Sequence, residues 1–383
     1  MILTNYLSNF HEVQVVSLEQ ASAYDYPYKS KISRIEIKRA TNTAGKILVV
    51  LKRIIALRKI KKYFKPDVSI AIGPTAMLIN SLSFGKEQKI SSLRQSLLQL
   101  KDNRFLNKIL FRISGKLVPV HNGINKELYD LYKIRNNLFA YNGYDLEKIA
   151  ADCKMPVEEK LLPFFEGNVL CHMGRFDSQK CNWQLIKVFH LARKINPELK
   201  LLLIGDVDYS HPINSDIYHF CVDYLKNNGY KVKPIGTDLN DPANEYDVLF
   251  LGQQMNPHNY MARSSVFVFP SAWEGFPNAL VEALACGLPV VSADCPTGPK
   301  EILVDSNTAE EFGILLPLFN HVFNKEDFTT NELQQQWANT ITALLNDNNK
   351  MNYLRIQALK RAKEFSVEKS CKKWLDIIEE KVT

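Results

Sequence analysis

The chain has 383 residues, of which 46% are hydrophobic and 23% charged, and a chain of this length usually divides into two domains. Its charge is uneven: residues 1–150 hold 25 Lys and Arg against 11 Asp and Glu, about +14, whereas residues 151–383 carry about −7. The sequence has no run of about 18 apolar residues and no signal-peptide pattern, which argues against membrane-spanning and secreted proteins and predicts a cytoplasmic one. Seven cysteines without C-x-x-C or metal-ligand spacing predict reduced thiols and no metal site.

The basic first half predicts an anionic partner, such as a membrane surface, a phosphorylated lipid or a nucleic acid. A basic face that is merely solvated is the alternative. Nucleic acid is disfavoured because the basic residues lie on helix faces without interleaved aromatics and the acidic second half would repel a long polyanion.

The first half alternates strands with helices, which predicts a parallel sheet covered by helices. Residues 134–165 lose this periodicity and are expected to connect two domains. The helix over 44–65 carries an apolar stripe that we expect to pack on the sheet: Ile47, Val50, Leu51, Ile54, Leu57 and Ile60. Strands are predicted at 11–18, 66–73, 89–96 and 116–123, and helices at 44–65, 74–84 and 104–114.

A second alternating run follows, and the tail from residue 332 is helical. The predicted fold is α/β, with two Rossmann-like, doubly wound domains facing a cleft and with C-terminal helices. The expected boundaries are 1–160 and 161–355, with a helix over 356–383 crossing back to the first domain. Strands are predicted at 168–174, 200–205, 247–252, 265–271 and 288–294, and helices at 181–195, 217–229 and 277–287.

One candidate site follows the strand 265–271, in "AWEGFPNALVE" (272–282). The N–H groups at the start of the next helix, those of Asn278, Ala279 and Leu280, predict an anion site. A carboxylate at Glu274 suits sugar hydroxyls, and Glu282, one turn into the helix, suits the two hydroxyls of a ribose. The alternative is that Glu274 caps the helix and Glu282 is solvated.

A second candidate site is "MGRFDSQK" (173–180), after the first strand of the second domain. Arg175 and Lys180 lie between a strand and a helix, where two cations can hold a diphosphate. Surface cations are common, so the alternative is that both are merely solvated.

Together, "MGRFDSQK", "VLFLGQQMNPHNYMARSSVFVFPS" and "EGFPNALVEALACGLPVVSADC" resemble the nucleotide-sugar half of the family 4 retaining glycosyltransferases, which have the GT-B fold. The resemblance implies that Arg175 and Lys180 hold the donor diphosphate and that Glu282 holds the ribose. It implies that Glu274 holds the transferred sugar together with the backbone of Gly275, Phe276, Pro277 and Asn278. It further implies metal-independent, chiefly electrostatic catalysis with retention of configuration.

"DCPTGPKEIL" (294–303) is similar to members that extend lipid-linked, capsular or O-antigen saccharides in bacteria. The resemblance therefore implies transfer from a nucleotide-sugar, such as a UDP-hexose or UDP-N-acetylhexosamine, to a lipid-linked saccharide. With the basic first half, it predicts peripheral attachment to the inner face of the plasma membrane. On the acceptor side, Arg94 could meet a phosphate and His121 the acceptor hydroxyl, although a lone histidine is often structural.

The chain departs from the family at its start. Family members begin with a strand and a Gly-rich loop, whereas this chain is expected to begin in the following helix and to lack the central strand of its first sheet. The alternative function is therefore a truncated, inactive relic or scaffold that retains only nucleotide-sugar binding. A nicotinamide-dependent oxidoreductase is disfavoured because no G-x-G-x-x-G follows a strand.

Overall fold

A computed structural model describes residues 2–18, 29–38, 40–238, 242–305 and 310–380, without the side chains of residues 99, 101 and 102. The helices are α1 (Ile2–Leu7), α2 (Thr43–Phe64), α3 (Pro74–Leu82), α4 (Arg104–Ile113), α5 (Gly123–Tyr132), α6 (Leu146–Lys154), α7 (Asn182–Ile195), α8 (Pro212–Asn227), α9 (His258–Met261), α10 (Asn278–Ala285), α11 (Pro299–Leu303), α12 (Glu332–Asn346), α13 (Asn348–Ala362) and α14 (Val367–Glu379). The strands are β1 (Gln14–Ser17), β2 (Lys31–Arg34), β3 (Val68–Ile72), β4 (Gln88–Leu93), β5 (Lys116–Pro119), β6 (Val169–Met173), β7 (Lys200–Ile204), β8 (Val232–Lys233), β9 (Val248–Gly252), β10 (Val266–Phe269), β11 (Val290–Ala293) and β12 (Ile314–Leu316).

The chain folds as two compact units. Unit 1 comprises Met1–Asp145 and Phe365–Thr383, and unit 2 comprises Leu146–Glu364. The last helix, α14, thus belongs to the same unit as the beginning of the chain. Within the described ranges, no helix is both long and apolar enough to cross a bilayer.

Unit 1 is built on parallel strands in the order β3-β4-β5, and β1 and β2 form a parallel pair. Ile90 of β4 and Val118 of β5 are fully buried, in a cluster with Leu7 of α1 and Trp374 and Ile377 of α14. In the part of the chain that is described, no ladder joins the β1–β2 pair to the other three strands. The strands predicted for this half are confirmed, and the missing central strand stays a prediction.

The prediction that the whole apolar stripe of helix α2 packs on the sheet is wrong. Ile54 is buried, but Ile47 and Leu51, which the sequence places on the packed stripe, are 58% and 51% exposed. The buried face instead passes through Ile54 and Lys61, two turns apart, so the first half of the helix presents apolar side chains to solvent. Helical periodicity identifies a stripe without showing how much of its length is covered.

Lys61 is buried because every donor of its ammonium group has a partner. Its Nζ donates to Asn80 Oδ1, Ser83 Oγ and Glu87 Oε1, each at 2.6 Å. The side chain of Glu87 is 3% exposed. A buried charge persists when it is paired and hydrogen-bonded in this way.

Unit 2 contains a parallel sheet, with the strand order β12-β11-β10-β6-β7-β9-β8 in the described residues. Its central strands β6, β7 and β10 are short, mostly apolar and buried along nearly their whole length, as expected for a parallel sheet with helices on both faces. From β6 the chain crosses to β7 on one side, while β10 lies on the other side. The carboxyl ends of the neighbouring strands β6 and β10 therefore form a topological switch point, where doubly wound sheets bind ligands.

The expectation of an irregular connection over 134–165 is wrong in its second half. Residues Leu146–Lys154 form α6, and Glu159–Phe165 form a 3-10 segment. Only Ile149 of α6 is buried, so this short helix carries too weak an apolar pattern to be recognised from sequence.

Candidate active site

Two loops follow the strands at the switch point of unit 2, one after β6 and one after β10. Ala272 N–H donates to Gln179 O at 2.8 Å, and Gln179 Nε2 donates to Trp273 O at 2.8 Å. These bonds fix the loop that carries Arg175 and Lys180 against the loop that carries Glu274. The two candidate sites seen in the sequence therefore form one site.

Lys180 and Glu274 form the charged centre of this site. Lys180 Nζ lies 2.7 Å from Glu274 Oε1, and the two side chains are 15% and 8% exposed. The ammonium also lies 5.2 Å from the centroid of the Phe269 ring. Glu274 Oε1 therefore bonds to Lys180, and the alternative that this carboxylate also caps α10 stays a prediction.

A third loop supports Glu274 from the other side. The Thr297 hydroxyl donates to the Glu274 carbonyl oxygen. Gly298 has φ of +94°, and a Cβ there would come within 2.5 Å of Pro277 Cδ. The turn after β11 thus packs closely against the turn after β10, and a larger residue at 298 would push the two apart.

Arg175 is more open than Lys180. Its side chain is 65% exposed, and its Nη2 lies 3.1 Å from Asp177 Oδ2. Asp177 Oδ1 also accepts the Lys180 N–H at 2.9 Å, so Asp177 shapes the loop. The structure places both predicted cations on one loop but pairs each with a carboxylate.

The start of α10 corrects part of the predicted anion site. The helix begins at Asn278, as expected, but the Leu280 N–H donates to the Pro277 carbonyl at 3.1 Å. Leu280 therefore cannot offer this N–H to a ligand, and its side chain is fully buried. Ala279 N–H has no partner within the described residues, so the predicted set of three donors is reduced.

Glu282, one turn into α10, belongs to a chain of polar side chains that the sequence did not reveal. Its Oε2 lies 3.8 Å from His258 Nε2, which is beyond hydrogen-bonding distance. His258 Nδ1 lies 3.3 Å from Asp152 Oδ2. Burial lowers the pKa of His258, but Glu282 and Asp152 outweigh burial and raise it above its ordinary value. A protonated His258 would hold the Glu282 carboxylate in place while leaving it able to accept hydrogen bonds.

His172 of β6 is a second polar residue that sequence reasoning missed. It is fully buried, and its Nδ1 bonds to the Val268 carbonyl at 3.0 Å. Burial lowers the pKa of His172 to about 4, so the ring is neutral at pH 7. Its Nε2 has no hydrogen-bond partner in the described part of the chain and would lie 3.0 Å from a Cβ at Gly174. A buried, neutral histidine thus underlies the loop that carries Lys180.

The two acceptor-side candidates lie in unit 1. Arg94 follows β4, is exposed, and lines a cavity of about 20 Å³ at the ends of β3 and β4. His121 is fully buried, and its Nδ1 accepts the Gly123 N–H at 3.1 Å. This bond explains His121 as a residue that fixes the turn after β5, and its contact with an acceptor stays a prediction.

The model of the family of glycosyl transferases group 1 matches residues 157–361, more than half of the chain. The chain therefore belongs to this glycosyltransferase family, and its resemblance to family 4 is confirmed. The matched range contains every residue of the unit 2 site except Asp152.

Two relatives cover most of the chain. The chain is 29% identical over 361 residues to the uncharacterized glycosyltransferase MJ1059 of Methanocaldococcus jannaschii, over 86% of this chain and 83% of that protein. It is 23% identical over 384 residues to GalNAc-alpha-(1->4)-GalNAc-alpha-(1->3)-diNAcBac-PP-undecaprenol alpha-1,4-N-acetyl-D-galactosaminyltransferase of Campylobacter jejuni, over 99% and 93%.

Among solved structures, Anabaena Alr3699/HepE in complex with UDP and glucose matches with a TM-score of 0.68 at 18% identity. The match covers 91% of this chain and 86% of that one. At this identity the likeness concerns the fold, and the predicted GT-B class with Rossmann-like domains is confirmed.

Proposed function

We propose that the protein transfers a hexose or N-acetylhexosamine from a UDP-sugar to a hydroxyl of a lipid-linked saccharide, with retention of configuration. The observation that carries the proposal is the Lys180–Glu274 pair at the switch point of unit 2, at 2.7 Å. This pair brings a phosphate-binding group and a hydroxyl-binding group together where such sheets bind nucleotides.

The pair is suited to binding the two parts of a donor. Within the described residues Lys180 Nζ makes one hydrogen bond, and an ammonium has three donors. Two donors of Lys180 can therefore bind the diphosphate while the third holds Glu274. Glu274, fixed by Lys180, accepts hydrogen bonds from the hydroxyls of the transferred sugar.

Arg175 completes the cationic side of the site. Its exposed guanidinium can exchange the Asp177 carboxylate for a phosphate, which it binds through two parallel N–H groups. Glu282 accepts the ribose hydroxyls, with His258 fixing the carboxylate. Donor-binding groups thus run from the sugar at Glu274 to the ribose at Glu282.

The reaction breaks the bond between the sugar C1 and the diphosphate oxygen and forms one between C1 and the acceptor oxygen. Lys180 and Arg175 stabilise the negative charge that develops on the leaving UDP, which is the charge that increases in the transition state. The acceptor hydroxyl attacks on the face from which UDP departs and passes its proton to the departing phosphate oxygen. With two cations beside the diphosphate, we propose that no divalent metal is needed.

The relatives support the choice of substrates. The Campylobacter enzyme is named for an undecaprenol-linked acceptor, and HepE was solved with UDP and glucose. On the acceptor side, we assign Arg94 to an acceptor phosphate and keep His121 as a group that orders the turn beside the acceptor.

A transfer assay tests the proposal. The full chain is incubated in EDTA with a panel of UDP-hexoses and UDP-N-acetylhexosamines and a polyprenyl-diphosphate saccharide, and products are analysed by mass spectrometry and by the anomeric proton coupling in NMR. We expect one added sugar with the anomeric configuration of the donor. An inverted product or strict dependence on Mg²⁺ would contradict the mechanism, and UDP binding without transfer would favour the scaffold alternative.

We further propose that unit 1 attaches peripherally to an anionic membrane at its inner face. Residues 43–65 contain eight Lys and Arg and no acidic residue. A groove of about 680 Å³ beside the end of α2 is lined by Arg58, Lys59, Lys62, Lys65 and Lys86. Near a membrane surface, each cation of this kind contributes about 1 kcal/mol.

Exposed apolar side chains of α2 add a second contribution to attachment. Ile47, Leu48, Leu51 and Ile55 are each 51–58% exposed and lie on the same helix as Arg58, Lys59 and Lys62. Fully burying one such side chain contributes about 1.5–3 kcal/mol, so partial insertion into the headgroup region supplements the charge.

Flotation with phosphatidylglycerol vesicles tests this attachment. We expect binding that falls as salt rises and that weakens in both Lys59→Gln/Lys62→Gln and Leu48→Gln/Leu51→Gln. The control Val322→Gln/Ile356→Gln changes two apolar side chains of unit 2 that are even more exposed than Leu48 and Leu51, and it should bind like the wild type. Equal loss in the control, or equal binding to neutral vesicles, would argue against the assignment.

A further inference from the structure

Two cysteines of unit 2 lie in contact close to Glu282. Cys153 is near the end of α6, and Cys286 follows the last residue of α10. Their sulfur atoms are 3.4 Å apart. Both side chains are half-buried, whereas the other five cysteines of the chain are buried.

The geometry permits a disulfide with small movements. An S–S bond is about 2.05 Å long, so the sulfurs must approach by roughly 1.4 Å. Both cysteines lie at helix ends, and Cys286 precedes Gly287, which has φ of +73°. Rotation of the two side chains together with a slight shift of these helix ends can close the distance.

The two thiols differ chemically. A hydrogen bond with the Cys286 thiol stabilises the Cys153 thiolate and, despite burial and the nearby Asp152 charge, lowers the pKa of Cys153 to about 7; the charges of His258 and Arg263 act in the same direction. The same contact, together with burial, raises the pKa of Cys286. Because the thiolate is the nucleophile, Cys153 is the attacking thiol and Cys286 the resolving one.

The pair is connected to the candidate site at two points. Cys286 N–H donates to the Glu282 carbonyl at 2.9 Å, so it continues the helix turn that carries Glu282. Cys153 adjoins Asp152, whose carboxylate lies 3.3 Å from His258 Nδ1. Closing the sulfurs therefore shifts both ends of the Asp152–His258–Glu282 chain.

We propose that Cys153 and Cys286 are a redox modification site that a small-molecule disulfide converts to an internal disulfide, weakening nucleotide binding at Glu282. The Cys153 thiolate attacks one sulfur of the small disulfide and releases one thiolate, which leaves a mixed disulfide on Cys153. Cys286 then loses its proton, attacks Cys153 Sγ and releases the second thiolate. The protein loses two electrons and two protons, and the small disulfide becomes two thiols.

The effect on nucleotide binding rests on the proposed function, but the modification does not. The full chain is treated with oxidised glutathione, free thiols are blocked with N-ethylmaleimide, and peptides are identified by mass spectrometry. We expect a Cys153–Cys286 cross-link in the wild type and in Cys221→Ser, a control at a fully buried cysteine. Cys286→Ser should retain glutathione on Cys153, and Cys153→Ser should leave Cys286 free for alkylation.

Alkylation kinetics test the thiol asymmetry separately. The rate at which iodoacetamide modifies Cys153 should rise with a midpoint near pH 7 in the wild type and move toward the ordinary thiol range, about 8.5, in Cys286→Ser. A wild-type midpoint in the ordinary range, or a persistent mixed disulfide without the cross-link, would overturn the proposal.

Titration with UDP before and after oxidation tests the link to the site. We expect at least about a tenfold loss of UDP affinity in the oxidised wild type, reversed by dithiothreitol, and no change in Cys153→Ser. A cross-link that leaves UDP affinity unchanged would overturn the link to Glu282. Failure of the reduced protein to bind UDP would instead contradict the proposed function, with the cross-link still measurable.

Discussion

Unit 1 contains a buried lysine–glutamate pair, and unit 2 contains a largely buried pair of nearly the same length. Lys61 and Glu87 are 2.6 Å apart, and Lys180 and Glu274 are 2.7 Å apart. Lys61 uses all three ammonium donors, on Asn80, Ser83 and Glu87. Lys180 donates only to Glu274 among the described residues.

The difference distinguishes a structural pair from a binding pair. All three donors of the Lys61 ammonium are used within the protein, so none is available to a ligand. The Lys61–Glu87 pair instead stabilises the packing of α2 against the loop before β4. In the second pair, the largely buried ammonium of Lys180 has donors that no described residue uses, and these are available to a ligand. Burial and distance alone would not have told the two pairs apart.

The largest expected effect is on the stability of unit 1. Glu87→Gln leaves the buried Lys61 ammonium without its counter-charge, which typically costs about 3–5 kcal/mol. Urea unfolding should therefore show a strongly reduced free energy of unfolding, whereas Lys62→Gln, an exposed neighbour, should match the wild type. A change below about 1 kcal/mol in Glu87→Gln would show that the pair does not support the fold.

The stabilising effect of Glu87 should also depend on pH. Burial raises the pKa of Glu87, but the bond from Lys61, a backbone hydrogen bond and the charges of Lys61 and Lys89 together outweigh burial and hold the pKa below the ordinary value of 4.5. A carboxyl group whose pKa is lower in the folded than in the unfolded protein stabilises the fold. This contribution is fully present above the unfolded-state pKa and is lost as the pH falls through the folded-state pKa. The difference between wild type and Glu87→Gln should thus shrink as urea titrations move below pH 4.5, and a constant difference would contradict this origin.

In unit 2 the corresponding change should affect turnover more than stability. Lys180→Met retains the side-chain stem over Phe269 and removes the donors, and loss of a preorganised charge stabiliser typically lowers turnover about 10²- to 10³-fold. Lys187→Met is the matched control, since Lys187 is 1% exposed and pairs with Asp327 at 3.1 Å. We expect the control to lose stability but to keep its turnover per folded molecule.

Arg175 should show a smaller effect because it is exposed and already paired with Asp177. Losing a hydrogen bond to a charged group costs about 1.5–3 kcal/mol, so Arg175→Ala should reduce kcat/KM for the donor about 10- to 150-fold. Arg355→Ala, at an exposed arginine of α13, should have no effect. Equal kinetics in the two variants would remove Arg175 from the donor site.

Local patterns predicted nine of the described strands, the helix beginning near Pro277 and the two loops, because each depends on neighbouring residues, but they did not predict the short strands β2, β8 and β12. They did not predict the Asp152–His258–Glu282 chain, since Asp152 is 130 residues away from Glu282 in the sequence and lies in a helix without a clear apolar pattern. The Leu280 N–H was also missed, because its bond to Pro277 depends on the geometry of one turn. The exposure of Leu51 could not be predicted either, because helical periodicity identifies an apolar face without showing whether another element packs on it.

The central claim is that unit 2 binds a UDP-sugar, with Glu282 at the ribose and Glu274 at the sugar. Calorimetric titration of UDP in EDTA into the wild type, Glu282→Ala and Glu274→Ala tests it most directly. UDP contains the ribose but not the transferred sugar, so Glu282→Ala should weaken binding about 10- to 150-fold and Glu274→Ala should leave it nearly unchanged. Equal loss in both variants, or wild-type binding only with added Mg²⁺ or Mn²⁺, would contradict the account.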